Sequence, residues 1–260
     1  MINKLFILAA VGSLFTLTSC LGGDDEPMNT VQSTCSIRSS SSGAVLYLDG
    51  GAVVYPTPES VYKLTGTANF GNAKRGIIQF NYADINMTQD ANGTVIREAE
   101  VFGGNSIPTF DIMSNEEAIA KNVFSADSIF ALSSLKEKNI WAYGGYLNVS
   151  YNATYYPNGS GGYFVPSLSA VYELDPKNER NINITLVLNK HGKKDGVVAG
   201  EGTILNSFDI SSLRQHFPPS GFDSIHCNLH YLITEGLTSE VSKTIERSIA
   251  VKDLDYPWNK

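Results

Sequence analysis

Long apolar runs, basic clusters and catalytic signatures are what this 260-residue sequence lacks. Its longest apolar stretch, Leu5 to Leu17, is interrupted by Gly12, Ser13 and Thr16. It covers about thirteen residues, short of the roughly twenty that a membrane-crossing helix requires. Lys and Arg number 19 against 26 acidic residues, a formal charge of −7. The densest basic group, His191 to Lys194, reads as a hairpin turn. Phosphate backbones select clustered Lys and Arg, so nucleic acid is excluded as a partner. No Gly-x-Ser-x-Gly elbow, His-Glu-x-x-His or phosphate-cradling loop is present. His226 and His230 have the spacing that unites two ligands on a helix, but the run Ile225 to Ile233 alternates like a strand. At strand rise the two rings stand roughly 13 Å apart, too far to share an ion. Asp84, Asp111 and Asp175 are carboxylates able to pair in space for glycoside hydrolysis, yet nothing in the sequence selects a pair. The expectation is a non-enzymatic chain without cofactor or metal.

What is present begins at the N-terminus. Lys4 supplies a cationic start, Leu5 to Leu17 the apolar core, and residues 1–19 together have the pattern of a signal peptide. The run ends in Leu17-Thr18-Ser19-Cys20, which resembles a lipobox, the motif whose cysteine receives lipid before cleavage. Several acyl chains on Cys20 would anchor stably, since one chain binds only marginally and each buried methylene adds about 0.8 kcal/mol. Asp24, Asp25 and Glu26 follow. They cannot pack against lipid, and they resemble the acidic export signal that sends lipoproteins of gut anaerobes to the outer face of the outer membrane. The expected location is therefore an outer-membrane lipoprotein exposed at the cell surface, with the periplasmic face as the alternative.

Residues 20–42, with their acids, Pro27 and the serines from Ser39 to Ser42, read as a disordered tether. The first regular structure is expected at Gly43. Ala44 to Leu48, Asp49-Gly50-Gly51 and Ala52 to Tyr55 form a strand, a hairpin turn and a returning strand. With Leu64–Phe70, Arg75–Tyr82 and Val95–Phe102, the segment 43–110 has the strand density of a small OB-type barrel. Residues 114 to 138 are the plausible helical stretch, opened by Ser114 and Glu117 as a capping box. Strands fill the rest of 111–260, in number enough for a β-sandwich. Ile182, Ile184, Leu186 and Leu188 alternate with polar neighbours, as in a strand with one buried face. Cys35 and Cys227 are left for a possible bridge in an oxidising compartment. Cys227 shares a strand face with Ile225 and Leu229, where a free cysteine serves as a small hydrophobe.

Aromatic residues carry the remaining signal. Trp141, Tyr143 and Tyr151 share the apolar parity with Leu147 and Val149, which assigns them to the core, whereas Tyr146 and Tyr156 fall on the polar parity. Tyr155-Tyr156-Pro157-Asn158-Gly159-Ser160-Gly161-Gly162-Tyr163 is a Gly-rich loop flanked by tyrosines, suited to stacking on a sugar ring or docking a protein. Tyr146, Tyr156 and Tyr163 are the candidate ligand contacts.

The order of lipobox, acidic leader, Leu48-Asp49-Gly50-Gly51 hairpin, Trp141-Ala-Tyr-Gly-Gly-Tyr146-Leu147-Asn148-Val149 and Ser207-Phe208-Asp209-Ile210 resembles the NigD-like lipoprotein family over essentially the whole mature chain. The resemblance implies a mainly β protein, with an N-terminal OB-like barrel followed by an immunoglobulin-like sandwich. It also implies an association with bacteriocin immunity, the biochemical activity being otherwise unknown. Asp127-Ser128-Ile129 and Asp223-Ser224-Ile225 match the O-glycosylation sequon of exported proteins in such bacteria, which makes Ser128 and Ser224 candidate modification sites. The overall expectation is a monomeric, membrane-anchored binding or accessory protein whose partner is a glycan or an envelope protein. Bacteriocin-associated immunity or envelope defence is the alternative, and an unrecognised hydrolase a more distant one.

Overall fold

The structure, a computed structural model, describes residues 27–40, 43–60, 73–91, 93–125, 132, 135, 137–158, 160–189, 200–235 and 239–254. The chain divides into two compact units, Met1–Thr109 and Phe110–Lys260. The expected strand Leu64–Phe70, the turn at His191 to Lys194, and Cys20, Asp24, Asp25, Glu26 and Ser128 lie outside the described residues.

In the first unit, strands β1 (Met28–Ser40), β2 (Gly43–Leu48), β3 (Val53–Pro56), β4 (Arg75–Ala83), β5 (Met87–Asp90) and β6 (Gly93–Ser106) form one sheet. Its order is β3-β2-β1-β4-β6-β5, and β3 also pairs with β6. That last pairing is parallel, Val53 opposite Val95 and Val54 opposite Ile96. It closes a five-stranded barrel of OB type, with β5 added as a hairpin on β6. The barrel encloses Val31, Cys35, Ile37, Leu46, Leu48, Val54, Ile78, Phe80, Ile96 and Val101.

Much of the expected tether is structural. β1 occupies Met28–Ser40 and lies between β2 and β4, antiparallel to both. Its inward side chains Val31, Cys35 and Ile37 are buried, spaced at the two-residue strand period. The Ser- and Thr-rich residues between them give the segment a disordered composition. Its polar groups are nonetheless satisfied across strands, as where Thr30 Oγ1 donates to Asn81 Oδ1 at 2.8 Å.

The turn after β2 buries its acid. Gly51 has φ +91°, a value glycine tolerates at no steric cost, and Leu48 N–H donates to Ala52 O at 2.8 Å. Asp49 then meets the guanidinium of Arg75, the first residue of β4. Arg75 Nη1 donates to Asp49 Oδ1 at 2.7 Å and Nη2 to Oδ2 at 2.6 Å. Ser36 Oγ accepts from Arg75 Nη1 at 2.9 Å and Thr34 Oγ1 donates to Asp49 Oδ2 at 2.8 Å. The Arg75 side chain has no exposure and that of Asp49 only 8%.

The second unit contains β7 (Thr109–Asp111), β8 (Met113–Ser114), helix α1 (Asn115–Ala120), β9 (Ile140–Tyr143), β10 (Tyr146–Pro157), β11 (Tyr163–Phe164), β12 (Ser167–Leu174), β13 (Asn181–Asn189), β14 (Gly200–Asp209), β15 (Ser224–Glu235) and β16 (Ser239–Ala250). One sheet runs β11-β10-β14-β7 with β9 on β10, and the other runs β16-β15-β13-β12-β8. They make a β-sandwich in which β13 and β15, and β12 and β8, run parallel. Leu147, Val149 and Phe208 from one sheet and Ile182, Ile184, Leu186, Cys227 and Leu229 from the other share one core.

Helix α1 covers only the start of the expected helical stretch. Ser114 does cap α1, its Oγ accepting from Glu117 N at 3.2 Å, but the helix ends at Ala120. Asn122 takes φ +53°, Asn122 N donates to Ile119 O at 3.0 Å, and Val123 N donates to Ala118 O at 2.9 Å. This is a Schellman stop, with Asn in the left-handed position that glycine usually fills. One helical side chain, Ala118, is buried, against Val171 and Val187, too small an apolar face to sustain a longer helix.

Cys35 and Cys227 are both free and buried, one in each unit's core. Burial pushes both thiols up to about 12. For Cys35 the neighbouring Arg75 lowers it and Asp49 raises it by lesser amounts. Neither forms appreciable thiolate near neutral pH, so both act as small hydrophobes.

Removing one partner of a buried pair strands the other charge, which costs roughly 3–5 kcal/mol. Asp49→Ala should lower the barrel's unfolding free energy by about that amount in urea titration. A loss below about 1 kcal/mol, the worth of an exposed pair, would contradict this account of the turn.

Candidate functional site

The aromatic residues sort differently from their sequence parity because a tight turn intervenes. Gly144 and Gly145 have φ +58° and +80°, the two positive values a type I′ hairpin turn needs. Across it Tyr143 pairs with Tyr146, Ala142 with Leu147, Trp141 with Asn148 and Ile140 with Val149. Residues paired across a hairpin share a face, so this turn exchanges odd and even positions. Ile140 and Ala142 therefore go to the core with Leu147 and Val149, while Trp141 and Tyr143 join Tyr146 and Asn148 on the opposite face.

Two expectations are corrected here. Trp141 and Tyr143 are half-buried on the face away from the sandwich core. Tyr146 has 0% exposure, so it is a packing residue rather than a ligand contact. Asn148 and Ser207 beside it are equally buried. Ser207 Oγ donates to Asn148 Oδ1 at 2.6 Å, and Asn148 Nδ2 donates to Trp141 O at 3.4 Å. This polar group holds β9, β10 and β14 together. Tyr151 does lie in the core, where its hydroxyl accepts from Asn206 Nδ2 at 3.3 Å. Burial pushes its pKa up to about 12, the bond from Asn206 acting in the opposite sense.

The far end of β10 is where an aromatic ring is offered to solvent. Pro157 pairs with Tyr163 and Tyr156 with Phe164, closing a loop over residues 158–162. Asn158 organises the loop. Its Oδ1 accepts from Ser160 N at 3.0 Å, Ser160 Oγ at 2.8 Å and Gly162 N at 3.0 Å, and its N–H donates to Gly162 O at 3.0 Å. Gly161 takes φ +85°. A Cβ on Gly162 would stand 2.9 Å from Asn158 Nδ2, so any larger residue displaces the amide that orders the turn. Tyr163 is 60% exposed and Val165 54%. On the flank, the Tyr155 ring lies over Gly202, where a Cβ would come within 3.0 Å of it. The side chain of Tyr156 lies outside the described residues. Val165 is hidden in the sequence because Phe164 to Leu174 reads as one apolar strand, whereas β12 starts only at Ser167.

The remaining candidates do not converge. His226 is exposed and His230 half-buried on β15, where the His230 ring pairs with Thr244 Oγ1 at 3.0 Å. Asp84 Oδ1 accepts from Asn29 Nδ2 at 2.7 Å. Asp111 is exposed at the end of β7. Asp175 caps a turn, accepting from Lys177 N at 2.8 Å and Asn181 Nδ2 at 3.2 Å. These bonds, led by that from Lys177, hold its carboxyl below the usual range. Ser224 is half-buried opposite Ala250. Among the described residues no group of three or more His, Cys, Asp or Glu is placed to hold a metal ion. No helix among them is long and apolar enough to cross a membrane.

An OB-type barrel followed by a β-sandwich defines the structural class. The chain is similar to a candidate lipoprotein from Bacteroides fragilis, at 12% identity and TM-score 0.56, with 84% of this chain and 96% of that one covered. It is similar also to a NigD-like immunity protein from Bacteroides caccae, at 14% identity and TM-score 0.53, with 83% and 96% covered. A candidate toxin-related protein from Parabacteroides distasonis aligns at 16% identity and TM-score 0.55, over 86% and 95%. No family model matches the sequence, and no curated relative matches it. At these identities the likeness is one of fold. It supports the NigD-like resemblance carried by the hairpin and Phe-Asp motifs.

Asn158→Ala removes the acceptor of three loop bonds and should cost about 1 kcal/mol in chemical denaturation. Asn158→Asp, which keeps acceptor oxygens, should recover most of that. Equal losses in both variants would contradict the role given to this side chain.

Proposed function

We propose that this chain is a lipid-anchored envelope protein that binds a glycan or a neighbouring envelope protein without catalysing a reaction. The observation that carries the reading is the loop at the end of β10, where side-chain bonds from Asn158 fix the backbone and Tyr163 stands 60% exposed. An exposed tyrosine on an ordered loop offers apolar area at low ordering cost, the property that makes Tyr frequent in recognition loops. Val165, exposed two residues on, extends the apolar part of the contact.

Anchoring rests on Leu17-Thr18-Ser19-Cys20, and display at the cell surface on Asp24, Asp25 and Glu26. The fold shared with a candidate lipoprotein from Bacteroides fragilis agrees with it. Glycosylation of Ser128 and Ser224 belongs to the same exported setting. A second reading, immunity toward a co-encoded bacteriocin, is favoured by the fold shared with a NigD-like immunity protein. That warrant is fold analogy, since one fold hosts many functions.

In cross-linking capture and glycan arrays on intact cells, the lipidated protein should retain a partner. Tyr163→Ala should lower that capture at least roughly tenfold, as expected for an aromatic anchor. Cys20→Ala should release the protein from the membrane fraction. Capture undiminished by Tyr163→Ala would overturn the site.

A further inference from the structure

The place where the chain enters its first unit is ringed by apolar side chains facing solvent. Met28, the first residue of β1, is 43% exposed, Ile85 74% and Met87 38%. They are neighbours in the fold. Met28 pairs with Ala83, and the chain then turns through a 3-10 segment, Asp84–Asn86, before β5. Tyr82, half-buried behind them, directs its hydroxyl to Met87 Sδ at 3.7 Å. Ile85 sits at the outermost point of that turn, the most exposed large hydrophobic residue among those described.

We infer that this corner rests on the lipid surface that holds the anchor, with Met28, Ile85 and Met87 inserted among the headgroups. The inference rests on the anchoring reading above. Seven residues lie between Cys20 and Met28, and the eight steps they make reach at most about 29 Å even when fully extended. A lipid on Cys20 therefore keeps this corner, before any other part of the barrel, within reach of the bilayer. Tethering makes the contact intramolecular, with an effective concentration near the millimolar range, so a patch too small to bind free vesicles suffices.

Charge identifies the kind of surface. No Lys or Arg occurs from Met28 to Ile37 or from Gly76 to Ile96, and Arg97, which follows Ile96, is directed over the Tyr55 ring at 5.1 Å, so the corner presents no basic cluster to anionic headgroups. Its acid, Asp84, is exposed and bonded by Asn29, and Asp24, Asp25 and Glu26 precede it. These carboxylates stay in water and limit insertion to the headgroup boundary, roughly 5–10 Å deep for interfacial elements. The occupant is a zwitterionic lipid interface held by apolar burial, with little dependence on salt.

The test is hydrogen exchange on the lipidated full-length protein in phosphatidylethanolamine–phosphatidylcholine vesicles, against unlipidated Cys20→Ser protein in solution. Amides of residues 84–88 should exchange at least about fivefold more slowly on vesicles, at low and high salt alike. Ile85→Ser combined with Met87→Ser should restore the solution rate while the protein still floats with the vesicles. Complete flotation with unchanged exchange would overturn the seating and leave the anchor standing. Loss of flotation would overturn the anchor and the seating together. Equal protection of concentrated unlipidated protein without vesicles would assign the corner to a second copy of the chain and overturn the lipid contact.

Discussion

The barrel depends on the buried ion pair that Asp49 makes with Arg75 on the Thr34–Ser36 face of β1. Taking both charges out of water is costly, and the cost is offset only when geometry and extra hydrogen bonds are good. Here the pair is bidentate, and Ser36 and Thr34 add hydrogen bonds to its Nη1 and Oδ2 atoms. The consequence is topological. Asp49 sits in the turn between β2 and β3, Arg75 begins β4, and Ser36 and Thr34 belong to β1. One cluster thus joins three parts of the chain and fixes the turn that delivers β3 to β6, the pairing that closes the barrel. It also makes β1 indispensable to the barrel.

Features set by local chemistry are legible in the sequence. Ile182, Ile184, Leu186 and Leu188 are buried as their alternation requires, and the Ser114 cap forms where Ser and Glu stand three apart. Cys227 shares its buried face with Ile225 and Leu229. The failures have a common cause, which is pairing that local sequence does not show. β1 carries only Val31, Cys35 and Ile37 as inward anchors within a Ser- and Thr-rich segment, and its order comes from strand partners as far as Ala83, which pairs with Met28. Parity misplaces Trp141 and Tyr143 because Gly144-Gly145 reads as part of one continuous strand, whereas Tyr146 keeps the face its parity assigns but is buried there. A two-residue turn reverses which side chains share a face, so one missed turn moves Trp141 and Tyr143 together. In the candidate site, Tyr163 is visible as the edge of a Gly-rich loop. The organising role of Asn158 is not, since it depends on where Ser160 and Gly162 return.

The two units divide the proposed work. On the proposed anchoring the barrel would meet the membrane at a corner without Lys or Arg, while the sandwich supplies a frame for an exposed loop. Side chains capable of acid–base chemistry are present, but the candidate carboxylates Asp84, Asp111 and Asp175 lie on separate elements. What the fold offers outward is shape and aromatic surface, which suits recognition.

The central structural claim is that β1 belongs to the barrel instead of the tether. Calorimetry on a chain starting at Pro27 and on one starting at Gly43 tests it most directly. The account predicts that the shorter chain loses the barrel's cooperative transition, because Val31, Cys35 and Ile37 leave its core and Arg75 loses Ser36. An unchanged melting profile for the chain that starts at Gly43 would contradict it.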